Sequence, residues 1–309
     1  MLSDGLKRFA MSLGLHVGSA RSSRPVLPAE HQCISPLDAV FVTGGRPFLI
    51  DVALSDCRCF GFTAFPPTPE GLNPFSLAVA ELQVGPVARP DSALVKFYKT
   101  YQPKSAAELL GIDRPDSHPL SMFGPAGAPW PWRPEMPGSL EAQRPGQVAA
   151  DARKAGISDR EGTLGDPFFG PVSDARAAAE IKRLEHLAVV LRGEGYRVDP
   201  VGLDNITGVV LQLGTEWRVL VTDGGQHRLC VLGAMGIQAV TVQIRANAGT
   251  GGIVRGEDVE HWPMVRAGIL KSTEAFGIFE RLFRGIPPAA ASEWVDVASS
   301  RLASLRARS

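Results

Sequence analysis

Net charge is what this sequence lacks most plainly: 32 Lys and Arg are balanced by 32 Asp and Glu. A balanced chain has no basic field to draw in nucleic acid or an anionic membrane, so a nucleic-acid partner is not expected, although a global sum leaves room for a local patch. Cysteine is scarce as well, with four in 309 residues. Cys33, Cys57, Cys59 and Cys230 make no disulfide framework, and Cys57-Arg58-Cys59 is too tight for an ordinary zinc knuckle with no second pair to complete it. Cys230 is expected as a small packed hydrophobe. No apolar run reaches the length of a membrane span. The N-terminus lacks the continuous apolar core of a secretory signal. Leu2, Leu6, Phe9 and Leu13 recur there at helical spacing, and Arg- and Ser-bearing sequence follows through Arg24. That reads as a short amphipathic helix and a polar tether, with an organelle transit peptide as the alternative. These absences lead to the expectation of a cytoplasmic protein without a membrane span.

Glycine and proline are plentiful, 33 and 25 residues, which predicts many loops. The length suits one large or two modest domains. Composition divides the chain into an N-terminal appendage (1–36), an α+β extension (37–112), a Pro/Gly-rich loop and connection (113–165), a central core (166–246) and a C-terminal helical segment (247–309). In the extension, Val40–Thr43 and Arg46–Val52 flank Gly44-Gly45 and predict a β-hairpin. Arg58–Phe65 predicts a third strand. Phe75–Leu82, Ser92–Tyr101 and Lys104–Leu110 predict helices, the last two carrying a basic edge at Lys96, Lys99 and Lys104. Pro115–Pro145 is too proline-rich for regular helix. Its Trp130 and Trp132 suit either a loop pinned over the core or a lid that stacks on a nucleotide base. Gln147–Gly165 reads as a polar, mobile connection. In the C-terminal segment, Ala275, Phe276, Phe279, Leu282 and Phe283 form an apolar stripe on a helix capped by Ser272.

The core begins with an N-cap pair, Ser173-Asp174, and an amphipathic helix with Ile181, Leu184, Leu187 or Ala188, and Leu191 on one face. Short strands are predicted at Tyr196–Val201, Gly208–Leu213 and Arg218–Val221. The stretch from Arg218 to Ile244 carries the chemistry. It reads as strand, glycine turn (Asp223-Gly224-Gly225), short helix with Leu229, Leu232 and Met235 on one face, and returning strand from Ile237. His227 and Arg228 stand in the first turn of that helix, an end that is already electropositive. Positive charge on a positive helix end is unfavourable unless an anion sits there, and a glycine turn feeding a helix is a recurrent phosphate cradle. The alternative is that Arg228 pairs with Asp223 or Glu216 and His227 is a solvated turn residue.

Gly225-Gln226-His227-Arg228, set between strand and helix and followed by Leu232-Gly233-Ala234-Met235-Gly236, resembles the nucleotide-binding core of the ParB/sulfiredoxin-like superfamily. The resemblance covers roughly Ser173 to Ile244, and it is closest to the kinase-like branch, with one residue inserted after Asp223. Gln226 replaces both the sulfiredoxin cysteine and the ParB glutamate, which argues against sulfinic-acid reduction. The resemblance implies an α/β (α+β) fold with a small mixed sheet. It further implies a site for ATP or another nucleoside triphosphate with Mg²⁺, held by Asp223, Gly224, Gly225, Gln226, His227 and Arg228. Asp223 is the candidate metal ligand, and Glu180 the candidate catalytic base by position alone. The function implied is an NTP-dependent phosphotransferase or NTPase acting on a small molecule. The alternatives are a DNA-associated ParB-like clamp or nuclease and a catalytically silent nucleotide-sensing module.

Overall fold

A strand persists where its backbone finds ladder partners and its side chains a buried face, and six strands among the described residues do so within one mixed sheet. The computed structural model describes residues 36–43, 46–85, 89–154, 156–157, 164–199, 204–245 and 252–308. The strands are β1 (Phe48–Ala53), β2 (Cys57–Arg58), β3 (Thr207–Leu213), β4 (Glu216–Gly224), β5 (Ala239–Ile244) and β6 (Ile253–Arg255). Their order is β1-β5-β3-β4-β2. β3 and β4 form an antiparallel hairpin around Gly214-Thr215. On its other edge β3 pairs in parallel with β5 through Thr207 and Gly208, and then with β6 through Val210–Gln212.

The helices are α1 (Pro36–Thr43), α2 (Pro74–Val84), α3 (Ala93–Thr100), α4 (Ala106–Leu110), α5 (Pro137–Lys154), α6 (Asp174–Glu194), α7 (Gln226–Ala234), α8 (Pro263–Arg266), α9 (Ser272–Arg284) and α10 (Ser292–Arg306). Local caps start several of them. Asn73 accepts from the N–H groups of Phe75 and Ser76, Ser92 from Val95, Ser105 from Glu108 and Ser173 from Arg176. Each cap satisfies a donor that the helix itself leaves orphaned.

Four local expectations are corrected. Residues 40–43 belong to helix α1, which Pro36 opens and Asp38 favours in its first turn. β1 therefore has no hairpin mate. It pairs antiparallel with β5, from Phe48 opposite Ile244 to Ala53 opposite Ala239. The expected strand 58–65 is cut short after Arg58, because Phe60 (φ 68°) and Ala64 (φ 53°) curl the chain around a 3₁₀ turn, and Phe60, Phe62 and Ala64 are all buried. Tyr196–Asp199 is irregular rather than strand: the Tyr196 hydroxyl donates to the Thr241 carbonyl at 3.1 Å, and the Asp199 N–H donates to Asn205 Oδ1 at 2.8 Å. Finally, α5 starts at Pro137 and tolerates Pro145 inside it, at the expense of one backbone bond to Glu141. Its second half carries Asp151, so part of the expected polar connection is helical. Residues 44–45, 158–163 and 200–203, and the glycine-rich 247–251, lie outside the described residues.

The sheet and every helix but α5 share one buried cluster. Trp294, fully buried on α10, donates its indole N–H to the Leu72 carbonyl at 3.0 Å and meets Phe97 edge-on. The apolar stripe of α9 docks Phe279 against Trp262 and Trp132, while Trp130 lies over Phe62 at 4.1 Å. The tryptophan loop is thus pinned over the C-terminal part of the core. Helix α7 runs so close to the Pro66-Pro67 turn that a Cβ on Gly233 would collide with the Pro67 carbonyl oxygen. Gly233→Ala is expected to destabilise the fold by about 1–3 kcal/mol, the usual effect of overpacking. Urea denaturation checks this through a lower midpoint at unchanged slope.

Candidate functional site

The passage from β4 into α7 needs glycine at one position. Gly225 is the N-cap of α7 with φ 82°, and a Cβ there would lie 2.7 Å from both Cα and Cγ1 of Ile206. Having no side chain, it offers the first-turn N–H groups of α7 no cap of its own. Gly224 still belongs to the sheet, opposite Thr207. This turn walls a cleft of about 700 Å³ at the carboxyl ends of β4 and β5, the end at which open α/β sheets place ligands. Thr207, Thr222 and Arg245 line it from the sheet, Arg183 and Leu187 from α6, and Arg144, Gln147 and Asp151 from α5. Trp130 and Trp132 do not line it.

The residues expected to hold phosphate have separate fates. Gln226 turns inward. Its Oε1 accepts the Phe60 N–H at 2.8 Å and its Nε2 donates to the Thr222 carbonyl at 3.2 Å, so its amide braces the turn and has little left for a ligand. His227 lines the cleft, with its ring 4.5 Å from that of Phe75 and its Nε2 2.7 Å from Glu180 Oε2. Arg228 also lines the cleft, and its ion-pair partner among the described residues is Asp204, while Glu216 pairs with Arg218. Nη1 and Nη2 reach the two Asp204 carboxylate oxygens at 3.1 and 3.0 Å. The charge on the helix end is therefore balanced within the chain, by a carboxylate that is 84% exposed. Asp223 is the penultimate residue of β4, and its side chain lies outside the described set.

Glu180, the candidate base, is fully buried on α6 rather than open to the cleft. Burial alone would raise its pKa. The hydrogen bond and charge of His227, with Arg176 and Arg183, outweigh that and hold the carboxyl below its ordinary value. Asp151 is held low in the same way, against burial, by Arg183 and Arg176. His186 is exposed on α6 and does not line the cleft.

No family model, curated protein or solved structure matches the chain. What the site does must be read from its own donors and charges. Arg144 pairs with Asp166 and Arg183 with Asp151, whereas Arg245 has no ion-pair partner among the described residues. The Oγ1 atoms of Thr207 and Thr222 are buried without a hydrogen-bond partner, an unfavourable state that a bound acceptor would relieve. The cleft thus brings together a helix N-terminus whose N-cap has no side chain and Arg245, which has no ion-pair partner among the described residues, with two buried threonine hydroxyls in its wall, a donor set suited to an oxyanion.

Thiol chemistry has little support here. Burial pushes the Cys57 thiol up to about 12, and burial and the neighbouring Cys230 raise Cys59 as well. Such thiols stay protonated and inert. Among the described residues no three metal-ligating side chains converge.

Sequence reasoning missed Thr207, Thr222, Arg245, Asp204, Asp151 and Arg176. Arg176 and Glu180 stand four apart on one helix, a visible signal of a pair. Asp151, Asp204, Thr207 and Arg245 carry no local signal, because only the packing of α5 and the strand ends brings them to the cleft, and Thr222 adjoins the glycine turn with nothing in its side chain to mark it.

Proposed function

We propose that this protein binds a nucleoside triphosphate at the Gly225 turn and transfers its terminal phosphoryl group to a small molecule or to water. The N-terminus of α7, led by a glycine N-cap and opening onto a cleft lined by Arg144, Arg183, Arg228 and Arg245, carries the reading. Phosphoryl transfer asks a protein mainly to position the phosphates and neutralise their charge. The first-turn N–H groups of α7, Arg245 and Arg228 are suited to that task. The His227–Glu180 pair in the same wall supplies an acid–base group, and Asp223 is the candidate ligand for the Mg²⁺ that arrives with the nucleotide. The resemblance of Ser173 to Ile244 to ParB/sulfiredoxin-like cores, and above all to their kinase-like branch, points the same way.

Thermal-shift measurement against ATP, GTP, CTP and UTP with Mg²⁺, followed by ³¹P NMR of the products, tests the proposal. A wild-type protein whose melting point no nucleotide raises would sink it. Arg228→Ala should change stability by no more than about 1 kcal/mol, because its partner is largely solvated. It should weaken nucleotide binding by at least about tenfold, the worth of a charge-assisted hydrogen bond, and it leaves Asp204 as an unbalanced negative charge. Arg245→Ala should show the same loss of affinity with stability unchanged. Titration calorimetry beside urea denaturation separates the two effects for each variant.

A further inference from the structure

Three helices contribute to one buried chain of charges that ends in the cleft. Asp151 Oδ2 on α5 accepts from Arg176 Nη2 on α6 at 2.5 Å. The same Nη2 lies 2.8 Å from Glu180 Oε1, and Glu180 Oε2 lies 2.7 Å from His227 Nε2 on α7. Arg183 Nη1 spans the side of the chain, 3.3 Å from Asp151 Oδ1 and 3.9 Å from Glu180 Oε2.

This arrangement is a poor way to hold helices together. Arg176 and Glu180 are fully buried, and Arg176 Nε and Nη1 have no acceptor. The desolvation of such groups offsets most of their attraction, and apolar residues of similar size would join α5 to α6 at least as well. What the chain does provide is a fixed environment for one imidazole.

The surrounding charges keep Glu180 ionised, so its oxygens can only accept hydrogen bonds. A ring nitrogen 2.7 Å from an acceptor-only oxygen must carry a proton. Nε2 is therefore the donor, and in the neutral ring Nδ1 holds the lone pair. Phe75, with its ring inclined 31° to that of His227, packs against the imidazole and restrains its plane. Glu180 itself is fully buried and faces cations on both oxygens, so it is badly placed to take a proton from a ligand.

We propose that His227, through Nδ1, is the acid–base residue of the cleft, and that Asp151, Arg176 and Glu180 are positioning residues that lock its tautomer. The assignment of a reaction rests on the phosphotransfer reading given above. In that reaction Nδ1 takes the proton of the acceptor hydroxyl, or of water, as that oxygen bonds to the terminal phosphorus. The bond from phosphorus to the bridging oxygen breaks, and its electron pair leaves with the nucleoside diphosphate. The imidazolium so formed is balanced by Glu180.

Long-range ¹H–¹⁵N NMR of the full chain, labelled in histidine, tests the tautomer directly. The expected wild-type spectrum assigns a protonated Nε2 and a bare Nδ1 to His227. Glu180→Gln should lose the single tautomer and lower turnover by about 10²- to 10⁴-fold, the range of a general acid–base contribution. Asp151→Asn removes the end charge at a half-buried site and keeps the fold. It should lower kcat while leaving the nucleotide KM unchanged, which a merely structural residue would not do. His227→Gln should abolish most turnover and retain nucleotide binding within a few fold. A bare Nε2 in the wild type overturns the proposal, as does full turnover in both His227→Gln and Glu180→Gln. Either result leaves nucleotide binding untouched. Failure of the nucleotide reading shows separately, as no binding by the wild type, and the spectrum still decides the positioning claim.

Discussion

Arg176→Met is expected to lower the free energy of unfolding by about 3–5 kcal/mol, the usual consequence of stranding one partner of a buried ion pair. Methionine fills much of the volume but leaves Glu180, at zero exposure, with only His227 and the more distant Arg183. Asp151 loses its shortest contact at the same time. The sign of the pH dependence follows from the carboxylates. Glu180 and Asp151 both have folded-state pKa values below their ordinary 4.5 and 3.8, so the stability they contribute is complete above those values and disappears as pH falls through the depressed ones. The gap between wild type and Arg176→Met should therefore be widest near neutrality and narrow in acid. Replacing Arg176, Asp151 and Glu180 together by apolar residues should recover a good part of the loss, because no charge is then left buried alone. Urea denaturation at several pH values measures all of this. A pH-independent gap would mean that Arg176 acts by packing alone.

Gly225→Ala is expected to cost about 2–4 kcal/mol, with the backbone and the neighbours both opposed to it. At φ 82° an L side chain is strained, and its Cβ would press on the Ile206 backbone as well as its side chain. Because Ile206 leads directly into β3, relief by local movement would disturb the sheet end that carries Thr207. The variant should therefore lose nucleotide binding along with stability. Gly224→Ala is the control. Its φ is not positive, and its nearest neighbour would be Thr207 Oγ1 at 3.4 Å, ordinary contact for a movable side chain. Denaturation midpoints that matched for the two variants would show that the turn has room and that Gly225 is not required by geometry.

Much of the chain could be read from its local chemistry. The helix starts at Ser92 and Ser173, the amphipathic run of α6, strands β3 and β4 and the glycine turn feeding α7 all stand where pattern placed them, and the helix expected from Lys104 starts two residues later, after the Ser105 cap. Each depends on residues within about one turn of each other, the range over which a cap or a helical stripe acts. The failures have physical causes of the same clarity. Gly44-Gly45 flanked by apolar runs satisfied hairpin chemistry, but the partner of β1 is β5, almost two hundred residues later (Phe48 opposite Ile244). Pro145 marks a helix break by local chemistry, yet α5 runs through it, and Glu141, whose carbonyl loses that bond, accepts the Gly124 N–H through its side chain at 2.7 Å.

The candidate site divides along the same line. Sequence alone determined that a glycine turn, His227 and Arg228 meet at the electropositive start of a short helix, since this follows from adjacency. Only the tertiary structure decided what each does there. It paired Arg228 with Asp204, 24 residues away, turned Gln226 inward to Phe60 at a distance of 166 residues, and joined His227 to Glu180 across 47. It also set Thr207, Thr222 and Arg245 around the same cleft. Partners of charged and polar groups are chosen by what packing brings within 3 Å, and that choice belongs to the sheet order and helix docking, which no local pattern encodes.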